Sequence, residues 1–397
     1  MIDSNGPRAI RDNEIAECLE MLNRAFDETP NGFFERYFVG DPWYRNDYCR
    51  VYSQDGRIVS SLSICRREVR VGSARLILGG IANVGTNPDD RGKGYSSEVL
   101  KDSAVAMDAD GMDFSVLYTG INAFYDRVGW RDIPIPVLSG TLIADPKGSV
   151  AGDYRLRPYD DHNGPSELLK LYDQFNANRV MTAVRVESLW RNFTMHKFHN
   201  PYNIMFAEDA SGPVAYALSH LHEGAIQFQE LGFMSGHESA LDQLLMQAAA
   251  QAVGNGITQV QLEPCREPAV ISSASRIAEG LDTTPTHYTM IRFFDLPRTF
   301  ARLVPELSKR VATGDLRGAV TIETEVGSVG LRADGSEVEI VEDTQDTAKL
   351  SQADLARLIF GIGPISDEES QMSDDAREFL SSLFPLQPFV YWNTDKF

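Results

Sequence analysis

The sequence predicts an α/β and α+β chain of three successive units, the first two built alike. Three observations predict this. The 397 residues exceed what one hydrophobic core ordinarily serves. A strand, short loop, amphipathic helix, glycine stop and second strand occur twice, over residues 74–118 and again over 225–264. From about Asp295 the pattern changes to a helix, a group of strands and two further helices, the mark of a smaller α+β unit. The expected division is 1–145, 153–294 and 295–397.

Each element follows from its local pattern. In "EIAECLEMLNRAF" the residues Ile15, Cys18, Leu19, Leu22 and Phe26 recur at helical spacing. Two strands, "RIVSSLSICRREVRV" and "ARLILGGIANVGT", flank Gly72-Ser73, which reads as a hairpin turn. The second strand runs into "NPDDRGKGYSSEVL", Asn87 to Leu100. The helix that follows has Val99, Leu100, Ala104 and Met107 on one side and Gly111 as its stop. "FSVLY", Phe114 to Tyr118, is then a short buried strand. In the later copy Ser235-Gly236-His237-Glu238 stands where the first has Arg91-Gly92-Lys93-Gly94. Glu238 and Asp242 suit that helix's dipole but oppose a bound pyrophosphate. The order of elements repeats while the phosphate chemistry does not. In the last unit "LPRTFARLVPELSKRV" reads as a helix, Asp334-Gly335 as a turn between strands, and Ser351 and Ser373 as helix caps. The closing "PLQPFVYWNTDKF", rich in proline and aromatic residues, predicts a terminus held against the rest of the chain.

Hydrophobic content of 43% and charged content of 24% are those of a soluble globular protein. No apolar run approaches the roughly 18 residues of a membrane helix, and "MIDSNGPRAIRDNE" lacks the signal-peptide pattern. The expectation is a cytoplasmic protein with no membrane partner. A net charge of -20 repels nucleic acid and draws in cations; a cationic or amine-bearing small-molecule partner fits that field, and solubility alone accounts for it equally well. Cys18, Cys49, Cys65 and Cys265 stand far apart in sequence without CxxC spacing, which argues against a zinc cage and a disulfide framework. His220 and His222 on one strand face, and His196 and His199 at helical spacing, read as structural, so no metal is expected.

The loop carries the chemistry. A strand feeding a helix through small residues leaves free N–H groups at the helix N-terminus, aimed at an anion by the dipole. Gly92 and Gly94 let the backbone approach a pyrophosphate, and Arg91 and Lys93 add charge. GxxxxGK[ST] is absent, which excludes a P-loop. A dinucleotide fingerprint would need a glycine where Ser97 stands and an acid where Tyr118-Thr119 stands.

"VGTNPDDRGKGYSSEVL" resembles motif A of the GCN5-related N-acetyltransferases, whose Arg/Gln-x-x-Gly-x-Gly/Ala signature maps onto Arg91, Gly94 and Ser96. Ser96 departs from the usual glycine or alanine but is also small. "YTGINAFYDRVGW" resembles the final motif of that superfamily, with Tyr125 as its tyrosine and Gly129-Trp130 as its glycine–aromatic pair. The whole-chain plan is similar to the Eis (enhanced intracellular survival) family: two tandem GCN5-related acetyltransferase folds, the second degenerate, then a sterol-carrier-protein-like domain.

The resemblance implies an acetyl-coenzyme A-dependent N-acetyltransferase acting on aminoglycoside, polyamine or lysine amines, and a homo-oligomer, specifically a hexamer. It implies cofactor contacts from Val84, Thr86, Arg91, Gly92, Lys93, Gly94, Tyr95, Ser96, Ser97 and Asn122. Tyr125 is the implied general acid, the Val84 N–H the oxyanion donor, and the carboxylate of Phe397 the base or electrostatic partner of the amine. Asp27, Phe34 and Trp43, with Phe33 and Tyr44, lie where the acceptor pocket is expected, while Lys396 is unfriendly to a cationic acceptor. Another acyl-coenzyme A donor acting on a natural-product intermediate, or a coenzyme A sensor or ligand carrier, are the alternatives left open.

Overall fold

The computed structural model describes residues 5–27, 29–30, 32–144, 154–194, 203–262, 267–366 and 370–397; Cys265, His196 and His199 lie outside them. The chain opens on β1 (Gly6–Ala9), α1 (Ile15–Ala25) and the short α2 (Arg36–Val39), then runs through β2 (Cys49–Gln54), β3 (Arg57–Val71) and β4 (Ala74–Thr86). After the glycine loop come α3 (Tyr95–Ala109), β5 (Phe114–Tyr118), α4 (Asn122–Asp126) and β6 (Arg131–Asp132). β7 (Ile135–Leu142) leads to β8 (Arg155–Pro158), α5 (Gly164–Asn176), β9 (Val180–Ala183) and α6 (Glu187–Leu189). The second copy is β10 (Asn203–Asp209), β11 (Gly212–His222), β12 (Ala225–Phe233), α7 (Glu238–Gly254) and β13 (Gln259–Leu262), followed by α8 (Pro268–Ile277), β14 (Ala278–Thr286) and β15 (Thr289–Phe293). The last unit comprises α9 (Leu296–Gly314), β16 (Arg317–Thr324), β17 (Gly327–Asp334), β18 (Val338–Val341), β19 (Thr347–Lys349), α10 (Gln352–Phe360) and α11 (Asp374–Leu383).

This is the mixed α/β and α+β architecture the pattern predicts, and the local signals act as expected. α1 buries Cys18, Met21 and Leu22. Gly72 turns the β3–β4 hairpin at φ +58°. The hydroxyls of Ser351 and Ser373 accept the N–H groups of Asp354 and Ala376 at the starts of α10 and α11, at 3.1 and 3.0 Å.

The sheets cross the cuts drawn in sequence. The first has the order β1-β2-β3-β4-β5-β15-β6, with β9 added on β3, and the second has β14-β7-β13-β12-β11-β10-β8. Thus β7, inside the expected first unit, lies in the second sheet. β15, inside the expected second unit, lies between β5 and β6 of the first. Alternation predicts that a strand has a buried face but not whose sheet it completes. The exchange locks the two units together. Cys18 and Cys49, distant in sequence, also meet thiol to thiol in the first core.

The third unit carries its own sheet, β18-β17-β16-β19. Its core is continuous with the first: Val69, Leu76 and Phe114 share one apolar cluster with Phe300 of α9 and with Val320, Ile322 and Leu331. That packing brings the last residues of the chain back to the first two sheets.

Candidate active site

β4 runs parallel to β5 only over Leu78–Gly80, which face Phe114–Val116. Beyond Gly80 the two strands part. The register explains the direction of β4. Ser61 pairs with Gly85 and Ser63 with Ala82, so a single β3 residue opposes both Asn83 and Val84. This is a β-bulge, and Asn83 takes the left-handed conformation it requires, at φ +55°. Val84 therefore stands where β4 bends out of the ladder. Nothing in the alternation of "ARLILGGIANVGT" announces the bulge; an asparagine amid small and apolar residues is its one trace.

The loop after β4 leaves an open helix N-terminus. Gly92 and Gly94 adopt φ +78° and +85°, and the space where a Cβ would sit is open at both. Conformation, not crowding, makes these positions glycine. Gly94 caps α3, and its first helical bond runs from Glu98 N to Gly94 O at 3.2 Å. The N–H groups of the preceding turn point out of the helix end without helical partners. Arg91 spends part of its guanidinium on the loop itself, donating to the carbonyls of Ala25 at 3.0 Å and Thr86 at 3.4 Å. Exposed Lys93 pairs with Asp90 at 2.7 Å.

A cleft of about 250 Å³ joins these pieces, lined among others by Phe26, Val84, Thr86, Arg91, Ser96 and Tyr125. Tyr125 of α4 packs edge-on against Phe124 with ring centroids 4.9 Å apart, and burial pushes its phenol up to about 12. It stays protonated across the neutral range and is fit to give a proton rather than take one. Thr86 shares a 3.0 Å hydrogen bond with Ser60, and the Tyr95 ring lies 4.5 Å from that of Tyr52. Ser97 is half-buried in the first turn of α3. Asn122 stands apart from this group. Its amide donates to Asp132 at 3.1 Å and to the His287 carbonyl at 2.9 Å, tying α4 to β6 and the β14–β15 loop.

The other end of the splay is closed by the chain terminus. A Cβ on Gly80 would run into the Phe397 ring, which lies 5.4 Å from the Tyr118 ring. A Cβ on Gly79 would meet Met107 and Met112 on the opposite face of the sheet. The consecutive glycines let helix side chains approach one face and the terminal phenylalanine the other, a role the sequence reading passed over. Phe397 is delivered by a buried polar cluster. The Arg185 guanidinium donates to Asp395 at 2.7 Å and to both Glu230 oxygens at 3.0 and 2.7 Å, and the Asp395 carboxylate accepts the Tyr172 hydroxyl at 2.9 Å. The expectation of a held terminus finds its physical cause here.

Of the residues expected at the acceptor pocket, Phe34 is buried with its ring 5.6 Å from Phe26, Trp43 is half-buried beneath the Arg67 guanidinium, and Asp27 is exposed. Phe33, Phe34, Trp43 and Tyr44 join Phe193 and Phe397 in one apolar cluster. Two arginines inside it, Arg36 and Arg67, escaped the sequence reading, because nothing in their spacing sets them apart from surface charges. Among the described residues no group of three His, Cys, Asp or Glu side chains could hold a metal ion, and no helix is long and apolar enough to cross a membrane.

Residues 7–133 match the family model of the acetyltransferase (GNAT) domain. Among solved structures, a GCN5-related N-acetyltransferase from Anabaena variabilis is similar over 98% of this chain and 99% of its own, with a TM-score of 0.73 and 15% identity. A conserved protein of unknown function from Enterococcus faecalis, a probable N-acyltransferase, is similar over 99% and 100%, with a TM-score of 0.76 and 13% identity. Eis1 from Mycobacterium abscessus is similar over 99% and 100%, with a TM-score of 0.66 and 13% identity. At such identities the likeness is one of fold, and it runs through all three units. No curated protein matches the sequence. The family match covers the unit that holds the splayed strands, the glycine loop and Tyr125, so residues 7–133 are a GNAT acetyltransferase domain and the protein is an acetyltransferase enzyme.

Proposed function

We propose that the protein transfers the acetyl group of acetyl-coenzyme A to the amine of a small molecule or a lysine side chain. The observation that carries this reading is the convergence, in one cleft, of the β4 bulge, the glycine loop at the α3 N-terminus and buried Tyr125. The loop N–H groups face the pyrophosphate. The pantetheine arm lies in the gap between β4 and β5, where the strands offer it unpaired backbone edges. At the thioester, the Val84 N–H stabilises the oxyanion, and one such donor contributes about 2.7 to 4 kcal/mol.

The amine nitrogen attacks the thioester carbonyl carbon and the C–S bond breaks. The Tyr125 phenol gives its proton to the departing thiolate. The Phe397 carboxylate takes the extra proton of the amine or holds the ammonium before it. An α-carboxyl ordinarily titrates near 3.5, so positioning suits it better than proton abstraction. In this reading the sterol-carrier-like last unit is a scaffold that delivers the terminus. A homo-oligomer, a hexamer by resemblance, belongs to the same reading and is tested by light scattering.

The test is thiol release from acetyl-coenzyme A with an amine panel, comparing the protein with Tyr125→Phe and with a form extended by one residue beyond Phe397. Turnover that collapses in both supports the mechanism. Turnover indifferent to the extension removes the terminal carboxylate from it. Tight coenzyme A binding without turnover on any amine sinks acetyl transfer.

A further inference from the structure

Arg36 and Arg67 are 5% and 3% exposed, yet among the described residues Nε and Nη1 of Arg36 and Nη2 of Arg67 have no hydrogen-bond partner. Arg67 keeps one counter-charge, Asp41, at 2.8 Å. Arg36 has no ion pair among the described residues. Its Nη2 donates to the Tyr37 hydroxyl at 2.7 Å, and its guanidinium lies 3.8 Å from the Phe33 ring centroid and 5.3 Å from that of Phe193. Arg67 lies 5.0 Å from the same Phe193 ring, so the two guanidinium groups share one aromatic wall. The nearby acids of the tail cluster, Asp395 and Glu230, are committed to Arg185.

Leaving a buried guanidinium donor unpaired is costly, and arginine cannot escape by losing its proton. Three spare donors and one uncompensated charge in a dry aromatic setting match a singly charged carboxylate. The place is the acceptor end of the site. Cys65 lies opposite Gly80 in the β3–β4 ladder, and Phe397 covers Gly80 on that face. Arg67, two residues from Cys65 on the same strand, projects to the same side. Phe33, Tyr37, Trp43, Phe193 and Phe397 all belong to the apolar cluster there.

We infer that Arg36 and Arg67 form a carboxylate-binding subsite, so that the acceptor is an amine that also carries an acid, of the amino-acid type, rather than a polycation. This rests on the acetyl-transfer reading for the chemistry but not for the binding. The net charge of -20 describes the outer field, whereas the local side chains select the opposite sign.

The experiment compares free amino acids with their amides as acceptors, beside spermidine and an aminoglycoside. Removing the carboxylate from an otherwise identical amine is expected to raise KM by about tenfold or more, the worth of one charge-assisted contact. Arg36→Gln should erase the difference while leaving the KM for acetyl-coenzyme A unchanged, and Arg36→Lys should restore part of it. Acid and amide forms used equally well, or a polycation preferred by both protein and variant, would overturn the subsite. Calorimetric titration with butyrate separates the two readings. Saturable binding lost in Arg36→Gln supports the subsite even if no amine turns over, an outcome that would count against acetyl transfer alone. No saturable butyrate binding overturns it whatever the acyl chemistry does. Should Arg36→Gln fail to fold, the acid–amide comparison and the butyrate titration on the unaltered protein decide.

Discussion

The two large sheets contain the same device in two states. In the first, β4 and β5 pair over three residues and part at the Asn83–Val84 bulge, and the gap opens into a cleft. In the second, parallel β12 and β13 pair over Ala225–Phe228, beside a register shift in the β11–β12 ladder. Next to that shift the protein packs its own side chains. Glu230 of β12 receives Arg185, Tyr216 and Thr394, and Trp392 is buried with its indole N–H donating to Asn176 at 3.0 Å. The helix ends differ in the same sense. The α3 N-terminus is open behind two left-handed glycines, whereas the Glu238 carboxylate accepts the Gly236 N–H at 3.1 Å before α7. In the proposed reading, the first unit holds the acyl donor while the corresponding part of the second anchors the tail.

Four changes test that contrast, from the largest effect expected to the smallest. Tyr125→Phe should lower kcat by about 10² to 10⁴ with little change in the KM for acetyl-coenzyme A, since it removes only the proton donor. In the unaltered protein the alkaline fall in kcat should lie above the ordinary tyrosine range near 10, because burial pushes the phenol up to about 12. A pH–rate profile that turns down near neutrality in step with an unperturbed group would remove Tyr125 as the acid.

Arg185→Met strands Asp395 and Glu230 in the buried cluster of the second sheet, and urea titration should show a loss of about 3 to 5 kcal/mol. Thiol release should fall with it as Phe397 leaves Gly80. Full activity at reduced stability would mean that the terminus is held by its own contacts and the cluster serves folding alone.

Gly94 and Gly236 share φ +85° in open space, so alanine at either should cost about 1 to 2 kcal/mol of stability. Only Gly94→Ala should also raise the KM for acetyl-coenzyme A. An equal effect from Gly236→Ala would give the second loop a role in binding the donor. Last, Glu238→Ala should change stability by under about 1 kcal/mol and create no second coenzyme A site by calorimetry. A new binding event would show that one carboxylate, rather than the buried cluster, keeps the second unit from holding the donor.

Much of the first site was legible because its parts are local. A glycine needing positive φ, a helix N-terminus after a strand, and a tyrosine on a short helix each leave a mark within a few residues. The capping serines and the Asp334-Gly335 turn were readable for the same reason. The tail's packing was foreshadowed by its aromatic content, but its destination was not. The meeting of Gly80 with Phe397, the partners of Arg185 and the unpaired donors of Arg36 depend on residues far apart in sequence, and no spacing rule joins them.

By itself, then, the sequence determined the order of elements, the likeness of the first two units and the glycine loop before α3, since hydrophobic period and backbone preference act over one turn or one strand. Only the tertiary structure decided that β7 and β15 change sheets, that Trp392 to Asp395 pack into the buried cluster of the second sheet, and that two buried guanidinium groups share the Phe193 wall. Those outcomes rest on long-range packing, where a strand joins whichever sheet completes its buried face and a charge takes its meaning from neighbours that the fold alone brings near.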